Sequence, residues 1–302
     1  MSALRARAPA KVNLCLWLGP SRPDGLHELV SIMWSISLAD ELELAPAPGA
    51  ARDLIDCAGV DGPNLAARAL EAFRRASGWS AAPHRLTILK RIPVAAGLGG
   101  GSADAAAALR LAARAAGRDV GDTMAALAPS LGADVPGQLD PGAVLVTGAG
   151  ERVRRLPAPA PAGLLVVPLP HRLSSASVFA QADRMGLPRS PGDLSARLGR
   201  LERTLKEDGG LPLGLAGNDL EPAARALCPA IEPALEAVGE TGPAAALVTG
   251  SGPTVVGVYP GEAGADRARE GADRLRGRFP GACAATPVES GFGAPEPVTV
   301  SA

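Results

Sequence analysis

The residues best suited to do chemistry in this chain form a glycine-rich segment at residues 93–104. Its sequence, PVAAGLGGGSAD, contains three consecutive glycines at residues 99–101. Glycine has no Cβ, so the backbone there can approach a ligand closely and adopt positive φ. An alanine-rich run follows as far as Ala116, which predicts that the segment opens into a helix. Free N–H groups and the positive end of the helix dipole would then favour a phosphate group.

Two common nucleotide-binding loops do not fit this segment. The P-loop needs Gly-Lys-Ser/Thr, but Ser102 follows Gly101 directly and no lysine stands between them. The dinucleotide-binding pattern G-x-G-x-x-G fits Gly97 and Gly99, but Ser102 occupies the position of its third glycine. A glycine-rich turn that binds nothing is the remaining alternative, and this many glycines are more than a turn requires.

Two other segments carry polar residues that could join the glycine-rich segment. The first contains Lys11 and Asn13, followed by the turn-rich sequence DGLH that ends at His27. The second is the turn TGSGPT at residues 249–254. Each is a weak signal alone, because a lysine at a strand edge or a histidine on the surface more often has no catalytic role.

The first of these segments is expected on a strand. Apolar and polar residues alternate over residues 11–18, which predicts a half-buried strand with Lys11 and Asn13 on one face. Residues 31–44 predict one or two further strands, with a break at residues 39–40.

The remaining pattern alternates between strands and helices. Strands are predicted at residues 85–90, 143–148, 164–167, 244–249, 254–259 and 283–288. Helices are predicted at residues 64–77, 123–130, 218–227, 231–238 and 262–276. Residues 174–179 are expected in a loop, and residues 188–214 form a polar segment that is helical in part.

Composition limits the class of protein. The chain has 302 residues, 47% of them hydrophobic, which allows two modest domains. A net charge of −1 argues against a general nucleic-acid binder. The sequence has no apolar run that could span a membrane and no secretory signal, and its four cysteines are scattered, which together indicate a cytoplasmic protein. The Pro/Ala-rich residues 151–162 are the expected domain boundary.

In this order, the motifs resemble those of the GHMP kinase superfamily, and within it the 4-diphosphocytidyl-2-C-methyl-D-erythritol kinase family. They are PAKVNL at residues 9–14, DGLH at 24–27, the glycine-rich segment, GADVP at 132–136 and TGSGPT at 249–254. The resemblance covers residues 8–259. The glycine-rich motif is specific only to the superfamily, whereas the Lys11 and Asn13 strand together with DGLH indicates the narrower family.

The resemblance implies an α+β fold with two domains and an active site in the cleft between them. Residues 1–155 would form an ATP-binding, ribosomal S5 domain 2-like domain, residues 163–290 a ferredoxin-like domain, and residues 291–302 a flexible tail. The implied activity is ATP-dependent phosphorylation of the 2-hydroxyl of 4-diphosphocytidyl-2-C-methyl-D-erythritol in non-mevalonate isoprenoid precursor biosynthesis. Mg²⁺ would accompany ATP, and neither a nucleic acid nor a membrane would be a partner. The protein would be a monomer or a homodimer.

The resemblance also implies roles for particular residues. Asp134 would accept the proton of the substrate hydroxyl, and Lys11 would offset the charge that develops on the phosphoryl oxygens. The implied substrate-binding residues are Asn13, Leu26, His27 and Phe179. The implied ATP-binding residues are Asn64, Lys90, Pro93, Val94, Ala95, Ala96, Gly97, Leu98, Gly99, Gly100, Gly101, Ser102, Ala103 and Asp104. No metal-ligating side chain is assigned.

Leu26 departs from the family pattern, which usually has an aromatic residue at this position to stack on cytosine. An aliphatic side chain loses a stacking contribution of roughly 0.5–1.5 kcal/mol. This departure leaves open a GHMP kinase that acts on another small alcohol. A second alternative is a catalytically silent GHMP-fold protein that binds a nucleotide, although the presence of both Lys11 and Asp134 argues against it.

Overall fold

Two β-sheets lie between two sets of helices in the computed structural model, which describes residues 2–60, 62–117, 120–207 and 213–298. The strands are β1 (Leu4–Ser21), β2 (His27–Pro46), β3 (Leu54–Cys57), β4 (His84–Leu89), β5 (Ala143–Gly148), β6 (Arg152–Arg155), β7 (Ala162–Val167), β8 (Gly217–Asn218), β9 (Ala245–Val248), β10 (Val255–Pro260), β11 (Cys283–Ala285) and β12 (Glu296–Pro297). The helices are α1 (Leu65–Ser77), α2 (Gly100–Ala116), α3 (Gly121–Leu131), α4 (Val135–Gln138), α5 (Ser175–Arg184), α6 (Pro191–Glu207), α7 (Glu221–Leu227), α8 (Ile231–Gly239) and α9 (Gly264–Leu275).

The long strands β1 and β2 form the centre of the first sheet. Its strand order is β12-β1-β2-β4-β3, with β5 also paired to β2, β6 to β5 and β8 to β1. The prediction of a half-buried strand at residues 11–18 was wrong, because Lys11 and Trp17 are both buried. Helices cover one face of this sheet and the second sheet covers the other, so both faces of β1 are buried from Ala8 to Leu18.

The predicted break at residues 39–40 is not a break in β2. The first half of β2 pairs with β5 as far as Trp34, and its last residues from Glu41 onward pair with β4. Between these two stretches the register with β1 shifts. The polar residue Asp40 thus marks the place where the strand exchanges one neighbour for another.

Helices α1 and α2 cover one face of the first sheet, and both end at the glycine that their sequences predict. Asn64 caps α1, and Gly78 ends it at φ 63°. The alanines of α2 are buried against α1 and β1, since their small side chains let the helix approach closely. Gly117 ends α2 at φ 68°, as expected of a C-terminal glycine.

The second sheet has the order β11-β7-β10-β9, with antiparallel neighbours throughout, which is a ferredoxin-like arrangement. One face packs on β1 and β2 through a shared apolar core that includes Val12, Trp34 and Val166. The other face packs on α5, α7, α8 and α9. In the part of the chain that the structure describes, no helix combines the length and apolar character needed to span a bilayer.

Three segments differ from their predicted structure. Residues 174–179, expected in a loop, mostly belong to α5. The predicted linker at residues 151–162 contains β6, which extends the first sheet. Residues 291–298, assigned to a flexible tail, include β12, which pairs with Leu4 and Arg5. Residues 208–212 of the polar segment and residues 299–302 of the tail lie outside the described residues.

Candidate active site

A cavity of about 880 Å³ brings the three motif segments together. Its lining includes both predicted catalytic residues, all four predicted substrate-binding residues, and every predicted ATP-binding residue except Ala103. Ala103 is buried in the core beneath α2, and its N–H donates to Gly99 O at 2.9 Å. The side chain of Ala103 therefore does not reach the cavity.

The glycine-rich segment joins β4 to α2 through left-handed backbone. Ala95, Gly97 and Gly99 have φ values of 57°, 79° and 68°, and Gly99 stands at the N-cap of α2. The first N–H groups of a helix have no acceptor within it. The start of α2 consequently presents backbone donors and a positive dipole end to the cavity, as the sequence predicts.

The segment packs directly on the turn at residues 249–254. A Cβ on Gly97 would lie 2.7 Å from Thr249 O and 2.8 Å from Gly252 O, so only glycine allows this approach. Leu98 O accepts from the N–H of Lys11 at 2.9 Å, and Thr249 Oγ1 accepts from the N–H of Asn13 at 2.8 Å. Three segments that are distant in sequence are thus joined by close backbone approach and by hydrogen bonds.

Lys11 and Asp134 meet beside the glycine-rich segment. Lys11 Nζ lies 3.3 Å from Asp134 Oδ2 and donates to Asn13 Oδ1 at 2.8 Å. The Lys11 side chain is 6% exposed, so it is not the solvated strand-edge lysine that its sequence context alone would favour. A Cβ on Gly99 would lie 2.7 Å from Lys11 Cγ, which places this pair against the N-cap of α2.

The Asp134 carboxylate is available to a ligand. Asp134 stands at the N-cap of α4, but its side chain makes no capping hydrogen bond. The carboxylate is 34% exposed and contributes to the cavity lining. An aspartate that capped its helix would have its oxygens occupied by backbone N–H groups. Here the backbone N–H groups of α4 leave the carboxylate free to accept a proton or a hydrogen bond from a bound alcohol beside Lys11.

Asn13 holds Lys11 in place through a buried chain of hydrogen bonds. Its Oδ1 accepts from Lys11, and its Nδ2 donates to Ser31 Oγ at 2.7 Å. Ser31 in turn donates to Cys15 O at 2.6 Å. Asn13 therefore orients the lysine, in addition to lining the cavity where the prediction placed it.

Lys90 lies between two buried carboxylates. Its Nζ donates to Asp104 Oδ2 at 2.6 Å and also to Asp40 Oδ2. Burial alone would lower the pKa of Lys90, but the two carboxylates outweigh it and raise that pKa. Burial, only partly offset by Lys90, raises the pKa of Asp104 to about 7. Asp104 Oδ1 has no hydrogen-bond partner among the described residues.

Asn64 and Gly100 have structural contacts that qualify their predicted roles. Asn64 Oδ1 caps α1 by accepting from the N–H groups of Ala66 and Ala67 at 2.8 and 3.3 Å, so only its amide nitrogen is left for a ligand. A Cβ on Gly100 would point at Ile92, 3.1 Å away, rather than into the cavity. The absence of a side chain at residue 100 thus serves the packing of the helix start.

His27, Phe179 and Leu26 form a further part of the lining. The rings of His27 and Phe179 have centroids 5.4 Å apart. His27 is buried, whereas Leu26 is 54% exposed at the cavity. His27 Nε2 lies 2.8 Å from Asp183 Oδ1.

Asp183 and Asp40 were not predicted from the sequence. Asp183 follows Phe179 by four residues, so the two share one face of α5 and both reach the cavity. Helical periodicity could have indicated this, had residues 174–179 been predicted as a helix. Asp40 gave no local signal, because its role depends on the distant Lys90.

Sequence comparisons place this arrangement in a known group. The model of the GHMP kinases N-terminal domain matches residues 64–146, and that of the GHMP kinases C-terminal region matches residues 196–276. A 4-diphosphocytidyl-2-C-methyl-D-erythritol kinase of Anaeromyxobacter dehalogenans is 40% identical over 93% of this chain and 88% of its own length. The enzyme of the same name from Streptomyces coelicolor is 38% identical over 83% of this chain and 86% of its own length.

Structure comparisons agree with the sequence matches. A crystal structure of 4-(cytidine 5′-diphospho)-2C-methyl-D-erythritol kinase superposes with a TM-score of 0.71 at 35% identity, covering 93% of this chain and 98% of that one. A homoserine kinase from Cytophaga hutchinsonii superposes with a TM-score of 0.72 at 17% identity, covering 99% and 98%, and shows the shared fold alone. The predicted two-domain α+β fold is confirmed.

Proposed function

We propose a mechanism from the premise that this chain belongs to the 4-diphosphocytidyl-2-C-methyl-D-erythritol kinases, a family of GHMP kinases. It is an ATP-dependent small-molecule kinase that phosphorylates the 2-hydroxyl of 4-diphosphocytidyl-2-C-methyl-D-erythritol in non-mevalonate isoprenoid precursor biosynthesis. The roles of individual residues, the Mg²⁺ ion and the cytoplasmic location belong to the proposal. So does the division into an ATP-binding domain at residues 1–155 and a second domain at residues 163–290.

ATP binds with its phosphates over the start of α2. The backbone N–H groups there point at the anion, and the missing side chain of Gly101 leaves the approach to them open. A Cβ added to Gly101 would meet only Leu65, at 3.5 Å, so other protein atoms do not crowd the helix start at this residue. Asn64 and Lys90 lie in the same part of the lining, where the adenosine would be held.

Mg²⁺ fits this site as an ion held mainly by phosphate oxygens. The described residues contain no cluster of three or more His, Cys, Asp or Glu that could bind a metal by themselves. Mg²⁺ at nucleotide sites needs only one or two protein oxygens beside phosphates and water. Ser102 lines the cavity at the start of α2, and its hydroxyl could supply one of them. The bound ion would neutralise charge on the phosphates.

Asp134 and Lys11 act on the reacting groups. Asp134 accepts the proton of the substrate hydroxyl as that oxygen attacks the γ-phosphorus and the bond to ADP breaks. Lys11 stabilises negative charge on the transferred phosphoryl oxygens. The observation that carries this proposal is the 3.3 Å approach of Lys11 Nζ to Asp134 Oδ2 beside the N-cap of α2.

The cytidine moiety lies against His27, Phe179 and Leu26. Phe179 offers a ring on which cytosine can stack, and Leu26 offers van der Waals contact from an exposed position. His27 can hydrogen-bond a base because an imidazole is both donor and acceptor.

A substrate panel tests the proposal. Purified protein with MgATP is assayed against 4-diphosphocytidyl-2-C-methyl-D-erythritol, 2-C-methyl-D-erythritol 4-phosphate, homoserine and mevalonate by coupled ADP release. The proposal expects turnover of the first compound at a kcat/KM far above the others. A preference for another alcohol would favour the alternative that Leu26 leaves open. ATP binding without turnover of any compound would favour a catalytically silent protein.

A further inference from the structure

Asp183 is a polar residue of the cavity to which no sequence motif assigns a role. It lies on α5, four residues after Phe179, and it lines the cavity together with Phe179 and His27. His27 Nε2 is 2.8 Å from Asp183 Oδ1, and the side chains are 6% and 47% exposed, respectively. A buried imidazole is thus fixed by a carboxylate that remains half open to the cavity.

Apolar residues stand beside this pair. Ala176, Phe179 and Ala180 share the face of α5 that carries Asp183, and all three line the cavity. Leu26 directly precedes His27 and Leu173 belongs to the same apolar cluster as Phe179, and both also line the cavity. Apolar and aromatic surfaces hold a planar ring but do not distinguish one pyrimidine from another, since every base has a similar face. Discrimination needs polar atoms at the edge of the base, and His27 and Asp183 are the titratable side chains in this group of lining residues.

One oxygen of Asp183 remains available for such a contact. A carboxylate has about four lone-pair sites, and the bond with His27 uses one of them. Among the described residues, no other hydrogen bond to the Asp183 side chain is found. The carboxylate can therefore accept a second hydrogen bond from a ligand while it holds His27.

We propose that the Asp183 carboxylate accepts a hydrogen bond from the exocyclic 4-amino group of cytosine and thereby selects cytidine over uridine substrates. This inference rests on the proposed function. Cytosine presents an amino donor at position 4, whereas uracil presents a carbonyl acceptor there. A uridine substrate would place the 4-carbonyl of uracil against the Asp183 carboxylate. Both groups are acceptors and neither would find a donor, which is unfavourable once the bound ligand excludes water.

A role limited to positioning is the competing explanation. In that case Asp183 only fixes the tautomer and orientation of the His27 ring. The variant Asp183→Asn separates the two explanations. Its amide oxygen can still accept from His27, while its amide nitrogen can turn toward the base and donate to the 4-carbonyl of uracil.

The experiment compares kcat/KM for 4-diphosphocytidyl-2-C-methyl-D-erythritol and its 4-diphosphouridyl analogue, with MgATP held constant. Wild type, Asp183→Asn, Asp183→Glu and the control Asp266→Asn are assayed. Asp266 is an exposed aspartate on α9, outside the cavity lining. The KM for ATP and a thermal melt report whether each variant is folded.

Wild type is expected to prefer the cytidine substrate. Asp183→Asn should lower the cytidine-to-uridine ratio of kcat/KM by roughly ten- to a hundredfold, the discrimination of one base-edge contact. Asp183→Glu should retain much of the preference, and Asp266→Asn should retain all of it. If the cytidine-to-uridine ratio of kcat/KM is unchanged in a folded Asp183→Asn protein, the inference about Asp183 is overturned and the proposed function is not. This holds whether both kcat/KM values fall together or neither falls. Wild type that phosphorylates neither compound would overturn the proposed function as well.

Discussion

At the residue scale, the site depends on charged groups that the fold removes from bulk water. Lys11, Lys90 and Asp104 are all largely buried, and each faces a partner of opposite charge. Buried charges persist in proteins only when they are paired and hydrogen-bonded. The two lysines differ in what surrounds them. Lys11 forms an ion pair with one carboxylate, that of Asp134, which is open to the cavity. Lys90 forms ion pairs with two buried carboxylates, those of Asp40 and Asp104.

Replacing Asp134 by Asn tests whether its carboxylate accepts a proton. We expect kcat to fall by about 10²–10⁴-fold, the usual contribution of a general base, because an amide cannot take up the proton. ATP affinity should change little, and the fold should persist because the Asp134 side chain makes no capping bond. Steady-state kinetics and nucleotide titration measure the two effects. Asp122→Asn on α3 is the matched control, and a kcat for Asp134→Asn equal to that of this control would remove Asp134 from the mechanism.

Replacing Asp104 by Asn tests the buried charge cluster through the pH dependence of stability. Burial raises the pKa of Asp104 from 3.8 to about 7. Between these two pH values the folded protein therefore keeps a proton that the unfolded chain has released. The favourable contribution of that proton is complete below about pH 4 and is lost as the pH rises toward 7. We therefore expect wild type to lose stability relative to Asp104→Asn between pH 4 and 7, and the difference to level off above 7.

Urea unfolding of both proteins at pH 4.5, 6 and 8 measures this change. Asp122→Asn serves again as a control, since it removes an exposed carboxylate from another helix. A free-energy difference between wild type and Asp104→Asn that is the same at all three pH values would show that Asp104 is ionised throughout.

At the element scale, the active site depends on contacts between two loops. The glycine-rich segment and the turn at residues 249–254 approach so closely that a side chain on Gly97 would collide with backbone atoms of Thr249 and Gly252. Backbone atoms cannot move aside as the end of a flexible side chain can. The position of the helix start at α2, and with it the proposed phosphate site, is therefore tied to the second sheet.

Gly97→Ala should break this contact. We expect at least a tenfold loss of ATP affinity, since the collision displaces the segment and the left-handed φ of 79° adds strain of about 1–3 kcal/mol. Gly78→Ala is the control. Gly78 also has positive φ, at 63°, but an added Cβ there would meet no atom within 4 Å. Titration with ATP and a thermal melt should show both variants destabilised and only Gly97→Ala impaired in binding, and equal ATP affinities would contradict this interpretation.

At the scale of the whole molecule, the first sheet takes strands from both halves of the chain, and the two sheets share one apolar core. Strands β8 and β12 both come from the second half of the chain. Strand β8 pairs with β1 at Cys15 and Leu16, and β12 pairs with the first residues of β1. Ile36 also bridges to Pro287. The apolar residues between the sheets come from both halves of the sequence. Neither half buries its own apolar face without the other.

Separating the chain near residue 158 tests this interdependence. We expect fragment 1–158 alone to lack a cooperative thermal transition, because β1 and β2 would expose the face that the second sheet covers. Co-expression with fragment 159–302 should restore both the transition and ATP binding. Circular dichroism melts and nucleotide titration measure these properties. A cooperative melt of fragment 1–158 alone would show that residues 1–155 fold as an independent domain.

The sequence by itself determined the local elements and the identity of the motifs. Asn64 and Gly78 fix the ends of α1, and the alanine run after the glycines fixes α2, since capping and helix propensity act between near neighbours. The order of the motifs was enough to indicate the family. Local pattern failed where distant parts decide the outcome, as in the two-sided burial of β1 and the change of partner along β2.

Only the tertiary structure decided which side chains meet. The couple of Lys11 and Asp134 was implied by the family resemblance and not by the residues around either one, while nothing near Lys90 indicates Asp40 and nothing near His27 indicates Asp183. Hydrogen bonds and ion pairs act over a few ångströms of space and are indifferent to separation along the chain. Such pairs appear only once the sheets are assembled and the loops at their edges come together.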